Sequence, residues 1–232
     1  MEAQQGNPAP YRGVFRDRHD AGARLAKRLK QYRGQGVLVL GIPRGGVVVA
    51  AEIARRLDAE LDVVVARKVG APISPELAIG AVTANGGKFL NEALIRQLGV
   101  SDAYLEMTIA TEMAEARRRE QWLRGVLPPA PIKGRTVIVV DDGLATGATM
   151  LAAVRAVRQH EPQRVIVAVP VGSREACATL REEADEVVCL YQPEPFWAVG
   201  FYYAHFEPTD DAEVQELLQE AHARRQAREP VG

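Results

Sequence analysis

Two adjacent carboxylates, Asp141 and Asp142, follow four β-branched aliphatics, Val137-Ile138-Val139-Val140, and precede the small-residue run Gly143-Leu144-Ala145-Thr146-Gly147-Ala148-Thr149. Such an aliphatic run suits a strand buried on both faces, which places the two acids at its C-terminal end. Ligands bind at that end of parallel sheets. From Met150 to Val157 apolar residues recur at helical spacing, so Gly143 to Thr149 reads as a turn that opens a helix. The N–H groups of that turn can cradle an anion, aided by the helix dipole. By themselves, two acids after a strand often simply cap a turn. Joined to Thr146-Gly147-Ala148-Thr149, they describe a site for a phosphorylated sugar.

Two further stretches carry charge or glycine where such a site needs them. Pro43-Arg44-Gly45-Gly46 follows the buried run Val37 to Leu40 and precedes a helix predicted over about Val47 to Leu57. Glycines let backbone amides approach a charged group, and Arg44 can add a cation, although a strand-to-helix turn needs neither purpose. Arg67-Lys68 follows another aliphatic run, Leu61 to Ala66, and is predicted at that strand's C-terminal end, in the crevice. Read without function, it is a pair of surface charges.

The stretch from Val137 to Thr149 strongly resembles the phosphoribosyl-pyrophosphate motif of type I phosphoribosyltransferases. The resemblance implies transfer of a phosphoribosyl group from phosphoribosyl pyrophosphate to a nucleobase-like nitrogen acceptor, with release of pyrophosphate, in nucleotide salvage. It implies that Asp141 and Asp142 hold the ribose hydroxyls and favour the developing cation. Ala145, Thr146, Gly147, Ala148 and Thr149 would receive the 5′-phosphate. Arg44, Gly45 and Gly46 take the position of the family's pyrophosphate loop, which often contains a cis peptide. Arg67 and Lys68 resemble the basic residues leading into its flexible catalytic loop, with Lys68 also reaching the pyrophosphate. Mg2+ is implied as cofactor, carried mainly on donor oxygens and water, so no protein ligand cluster is expected. Ala148 departs from the Gly, Lys or Thr of many members, but backbone donation survives that change. Ala145 stands where members acting on 6-oxopurines carry an aspartate, which disfavours that acceptor class. The alternative is a non-catalytic protein of the same fold that binds the donor and regulates.

These residues need a scaffold, and the alternation of aliphatic runs with helical periodicity predicts one: an α/β fold with a doubly wound, mainly parallel sheet. Ala21, Leu25, Leu29 and Tyr32 mark a first amphipathic helix, capped near Asp20. Val69 to Leu77, with two prolines, reads as a loop and candidate lid containing Glu76. Ala78 to Leu90, turning at Asn85-Gly86-Gly87, reads as a hairpin. Asn91 and Ser101 can cap two helices, the second running to about Trp122, with Arg117-Arg118-Arg119 on a solvated face. Strands at Arg164 to Val169 and Glu186 to Leu190 flank a helix from Ser173. A last helix spans roughly Asp210 to Arg224. The chain reads as one domain, 1–232, with a core of about 16–190 and a small C-terminal hood or cap of about 191–226. Seven of the thirteen aromatics lie between Tyr191 and Phe206. They either seal the sheet edge or form a hood in which Phe196 and Trp197 stack on a flat acceptor.

The totals exclude other classes. With 29 basic and 30 acidic residues the net charge is -1, so no global field draws the chain to nucleic acid or an anionic membrane. Cys177 and Cys189 lack metal or redox spacing and suit a reducing compartment. No run reaches membrane-spanning length, and residues 1 to 10 do not resemble a signal peptide, so a cytoplasmic protein is expected. His19, His160, His205 and His222 show no metal-ligand spacing. Gly41-Ile42-Pro43-Arg44-Gly45-Gly46 is not the Gly-x-Gly-x-x-Gly of dinucleotide-binding oxidoreductases. The family commonly self-associates, so a homodimer is expected, although no stretch marks its interface.

Overall fold

The computed structural model describes residues 13–227, so the expectation for residues 1 to 10 lies outside them. Eight strands are present among these residues: β1 (Leu38–Gly41), β2 (Glu60–Val63), β3 (Ala66–Gly70), β4 (Ala78–Thr83), β5 (Lys88–Leu90), β6 (Thr136–Val140), β7 (Arg164–Val171) and β8 (Glu186–Tyr191). Five form a parallel sheet in the order β2-β1-β6-β7-β8. The helices are α1 (Arg18–Arg28), α2 (Gly45–Leu57), α3 (Glu92–Gln97), α4 (Asp102–Arg124), α5 (Ala148–Arg158), α6 (Arg174–Glu183) and α7 (Asp211–Gln226). None is long and apolar enough to cross a membrane.

Alternation along the strands builds two cores, one on each face of the sheet. Val39, Ile138, Val140, Ile166 and Ala168 face α1, α2 and α7. Leu38, Leu40, Val137, Val139, Val165 and Val167 face α5 and α6. The doubly wound, mainly parallel α/β sheet expected from the sequence is thus present. Its strand order turns back between β1 and β6, so their C-terminal ends open the crevice where ligands bind in such sheets.

The single strand expected over Leu61 to Ala66 is instead two. Val64 N–H still donates to the Gly41 carbonyl at 3.1 Å, but Val65 N–H turns to the Glu120 carboxylate of α4 at 3.4 Å. The chain then enters a three-stranded antiparallel sheet, β3-β4-β5. An aliphatic run satisfies either sheet, and the acceptor that decides, Glu120, is 55 residues away. Arg67 and Lys68 therefore lie within β3, opposite Val82 and Ala81, rather than at the end of a parallel strand. The expected hairpin is present as β4 and β5, and the loop before it is closed by Ala71 N–H on the Leu77 carbonyl. The first helix starts earlier than expected: Asp17 caps it by accepting from Asp20 N–H at 2.8 Å, while Asp20 accepts from Arg16 N–H. Of the three consecutive arginines Arg117 to Arg119 on α4, Arg118 is solvated beside Glu115, but Arg119 binds Asp211 of α7 and Arg117 donates to the Ala84 carbonyl.

The antiparallel sheet rests on α5 through the hairpin turn. A Cβ on Gly87 would overlap the Ala156 backbone and its methyl group. Gly87→Ala is expected to lower stability by about 1–3 kcal/mol through forced separation of the two elements. Urea unfolding of both proteins checks this, and equal midpoints would show that the contact is dispensable.

Candidate functional site

Five of the seven helices have side-chain N-caps: Asp17, Asn91, Ser101, Ser173 and Asp210 each accept a first-turn N–H. The two without one are α2 and α5, whose N-termini flank the β1/β6 crevice. At α5 the cap position is Gly147, at φ +78°, a conformation that glycine takes without steric cost. The nearest substitute for a cap is a long 3.5 Å bond from Ala148 N–H to Thr146 Oγ1. At α2 the cap position is Arg44, and the Pro43–Arg44 peptide is cis. Helix starts without side-chain caps leave N–H groups of the kind that can receive anions.

The loop from Gly143 to Gly147 is pinned by the turn after β7. Leu144 N–H donates to the Val171 carbonyl, Ser173 N–H to the Leu144 carbonyl, and Ser173 Oγ to the Ala145 carbonyl at 2.8 Å. Ala145 and Thr146 remain exposed, while Gly147 is buried.

Between the helix starts sits the acid pair. Asp142 N–H donates to Asp141 Oδ1 at 2.8 Å. Arg18, at the start of α1, places Nε 2.8 Å from Asp142 Oδ2, and Tyr203 Oη donates to the Asp142 carbonyl at 2.7 Å. Gly45 and Gly46 admit the pair against α2. A Cβ on Gly45 would overlap Asp142 Oδ2, and one on Gly46 would lie 2.9 Å from Asp141 Cα and 3.0 Å from Asp141 Oδ1. These glycines thus serve close packing of the acids, a role that motif reading did not assign.

Burial raises the Asp141 pKa well above the ordinary carboxylate value, and repulsion from Asp142 adds to it. Burial raises Asp142 as well, opposed by Arg18 and by the hydrogen bond from Asp141. Both shifts disfavour charge, and Arg18 opposes the shift more directly at Asp142, so the arginine favours charge on Asp142 over Asp141. Tyr203 is also pushed up, by burial and by Asp142, and stays neutral.

The remaining predicted residues surround this centre unequally. Arg44 is half-exposed, with Nη1 3.8 Å from Asp211 Oδ1. Arg67 is tied to Glu112 of α4 at 2.5 Å, whereas Lys68 is exposed and makes no ion pair among the described residues. Both belong to the antiparallel sheet, which packs on α5, and Arg67 is directed to Glu112. Glu76 is exposed in its loop. Among the described residues no three His, Cys, Asp or Glu side chains converge to hold a metal ion.

The aromatic segment has two parts. Tyr202 and Tyr203 are buried with Phe15, Ala21 and Val171, and Phe15 pairs as a short bridge with Tyr203. Phe196 packs on Tyr202 at 5.6 Å between centroids, part of the same seal. Trp197 and Phe201, 66% and 38% exposed, stand outside it. Val199 connects this segment to the crevice, since a Cβ on Gly143 would lie 2.5 Å from its Cγ1. Arg18 and Tyr203 were invisible in the motif: they lie 124 and 61 positions from Asp142, and neither stretch has a pattern that marks it.

A separate cavity of about 660 Å³ lies at the other end of α5, lined by Asn85, Ile132 and His160 among others. Its buried charges, Asp62, Glu120 and Arg124, pair with one another, so it lacks the unsatisfied donors of the crevice.

The sequence model of the family described as "Phosphoribosyl transferase domain" matches residues 16–205. "Putative phosphoribosyl transferase Rv0571c" of Mycobacterium tuberculosis strain H37Rv is 44% identical over 209 residues, 90% of this chain and 47% of that protein. The chain thus spans about half the length of the curated relatives it matches. The crystal structure of TT1426 from Thermus thermophilus is similar at TM-score 0.76 and 50% identity, over 89% of this chain and 98% of that one. A hypothetical protein from Neisseria gonorrhoeae with bound ppGpp shares the fold at TM-score 0.51 and 15% identity, over 92% of this chain and 99% of that one.

The protonation of Asp141 has a stability consequence. A carboxyl whose folded pKa is raised binds its proton more tightly folded than unfolded, so stability falls as pH rises from the ordinary value of 3.8 through the raised one. Asp141→Asn removes that loss. The ligand-free variant is expected to melt at or above the wild-type temperature near pH 7 and to show a flatter Tm–pH profile. A wild-type profile level from about pH 4 to about pH 8, measured by calorimetry, would count against the assignment.

Proposed function

The chain belongs to the phosphoribosyl transferase domain family, and from that membership we propose that it transfers the phosphoribosyl group of phosphoribosyl pyrophosphate to a nucleobase-like nitrogen acceptor, in nucleotide salvage in the cytoplasm. The observation that supports this most is the coincidence of the two uncapped helix starts with the acid pair between them. One helix start suits the 5′-phosphate, through the N–H groups of Ala145 to Thr149 and the hydroxyls of Thr146 and Thr149. The other suits the diphosphate, through Gly45, Gly46 and Arg44, with Lys68 as the further cation. Arg67 supports Lys68 from the same strand while bound to Glu112. Asp141 and Asp142 take the ribose hydroxyls.

In the reaction the bond from the anomeric carbon to the diphosphate oxygen breaks, the oxygen keeping the electron pair. The acceptor nitrogen's lone pair forms the new bond to that carbon, and the proton the base gives up passes to the departing diphosphate or to water. Positive charge on the sugar in the transition state lies beside Asp142, and negative charge on the diphosphate lies before α2 and Arg44. Because Arg18 already neutralises Asp142, the acid pair suits hydroxyls better than a bound cation. Mg2+, carried on the donor's oxygens, supplies neutralisation of the leaving group. Ala145 offers no carboxylate to the acceptor, so 6-oxopurines are disfavoured. Trp197 and Phe201 are the exposed rings available to stack on it, while Phe196 is partly buried against Tyr202. The core of about 16–190 and the segment that follows act as one unit, and two copies associate as a homodimer.

Incubation with donor, Mg2+ and a panel of nucleobases is expected to release pyrophosphate with at least one base. Asp141→Asn combined with Asp142→Asn is expected to lower kcat by roughly 10²-fold or more while the protein stays folded. Near-normal turnover in that variant defeats the site assignment. Donor binding without turnover on any base instead identifies a donor-sensing protein.

A further inference from the structure

The ion pair between Arg18 and Asp142 has more partners than neutralisation requires. Arg18 Nε meets Asp142 Oδ2 at 2.8 Å, and Arg18 Nη1 meets the Glu207 carbonyl at 2.7 Å. Its Cζ lies 3.9 Å from the centroid of the Phe206 ring. Phe206 in turn packs on Tyr203, centroids 5.0 Å apart, and Tyr203 Oη donates to the Asp142 carbonyl. Both the side chain and the main chain of Asp142 are therefore held by residues 203–207, one through Arg18 and the other directly. The Arg18 side chain is only 11% exposed, so water screens the pair weakly.

Only a guanidinium can make this set of contacts. Its planar fork sends one N–H to a carboxylate and another to a carbonyl while its face covers a ring, and an ammonium can satisfy only part of that geometry. We propose that Arg18 is a positioning residue for the donor's ribose: it turns Asp142 Oδ2 toward α1, leaves the rest of the acid pair to the ribose hydroxyls, and ties that arrangement to the packing of residues 203–207. The proposal rests on the phosphoribosyl-transfer reading. It adds that the C-terminal segment, besides covering an acceptor, sets the geometry of the donor site.

The titratable groups facing Asp142 are Asp141 on its own loop, Arg18 from α1 and Tyr203 from the C-terminal segment. From α2 the Gly45 backbone approaches. Without Arg18 the pair has no cation at that distance, and Asp142 takes up a proton at higher pH.

Arg18→Met, Arg18→Lys and Phe206→Leu are compared with the wild type by calorimetric titration with donor and Mg2+ across neutral pH. Carbon-detected NMR follows the Asp142 carboxyl in the donor-free proteins. Arg18→Met is expected to weaken donor binding roughly tenfold or more and to move its acid limb to higher pH. Arg18→Lys restores the acid limb but not the full affinity. Phe206→Leu, which keeps every charge, weakens binding with the acid limb in place. Equal affinity and an unmoved limb in Arg18→Met, or an Asp142 titration unaffected by that change, overturns the proposal. A wild type that binds no donor at any pH overturns the phosphoribosyl reading itself and the ribose role with it.

Discussion

The register between β1 and β6 is the constraint on which the crevice depends. Leu38 to Gly41 pair in step with Val137 to Val140, and Ile42 N–H extends the ladder onto the Val140 carbonyl at 2.9 Å. Both strands therefore end together, and their loops leave side by side before feeding α2 and α5. A slip of one residue would exchange the two faces of β6, sending Ile138 and Val140 into the wrong core and the acids away from the glycines of α2. The register is held by burial on both faces: every residue from Val137 to Val140 is inaccessible to water. Aliphatic packing far from any chemistry thus determines where two helix dipoles and two carboxylates meet.

That meeting point is electrostatically mixed, and the mixture suits a ligand of mixed charge. Two helix starts and Arg44 favour anions, while the acids disfavour them. Burial and mutual repulsion disfavour charge on Asp141, and Arg18 pairs with Asp142, so both act to limit uncompensated negative charge in the crevice. A phosphorylated sugar separates the two demands along its own length, with anionic groups at its ends and neutral hydroxyls between them. The side chains that maintain this balance come from α1 and from the C-terminal segment, outside the strand-turn-helix units that make the crevice.

Legibility in the sequence follows the range of the interactions concerned. The run from Val137 to Thr149 could be read because its strand, acids, turn and helix start are contiguous, so local hydrogen bonding and periodicity specify them. The same holds for the caps at Asn91 and Ser101, for the helix start near Ser173 and for the hairpin. Arg67 and Lys68 were placed on the wrong sheet because Val64 and Val65 satisfy either path, and Glu120 on α4 takes the N–H that a neighbouring strand would have taken. Arg18 carries no local signal, since its partner is 124 positions away and its own helix reads as an amphipathic surface helix with or without it. Gly45 and Gly46 were noticed for the right positions, but their contact is with carboxylates that only the folded β1–β6 pairing brings near.

The aromatic segment combines buried and exposed rings in one stretch. A segment that only sealed the sheet would bury its largest rings, and a segment that only covered a ligand would hold few of them in place. Here Tyr202 and Tyr203 are buried against Phe15 and Val171, while Trp197 and Phe201 stay outside with their centroids 6.4 Å apart. The buried pair fixes the backbone, and Val199 presses that backbone onto Gly143, directly after the acids. Changes at Tyr203 would therefore be felt first by Asp142, through its carbonyl, whereas Trp197 and Phe201 can change with little effect on the seal. The two kinds of ring thus divide the segment, the tyrosines holding the main chain next to Asp142 and Trp197 and Phe201 presenting surface.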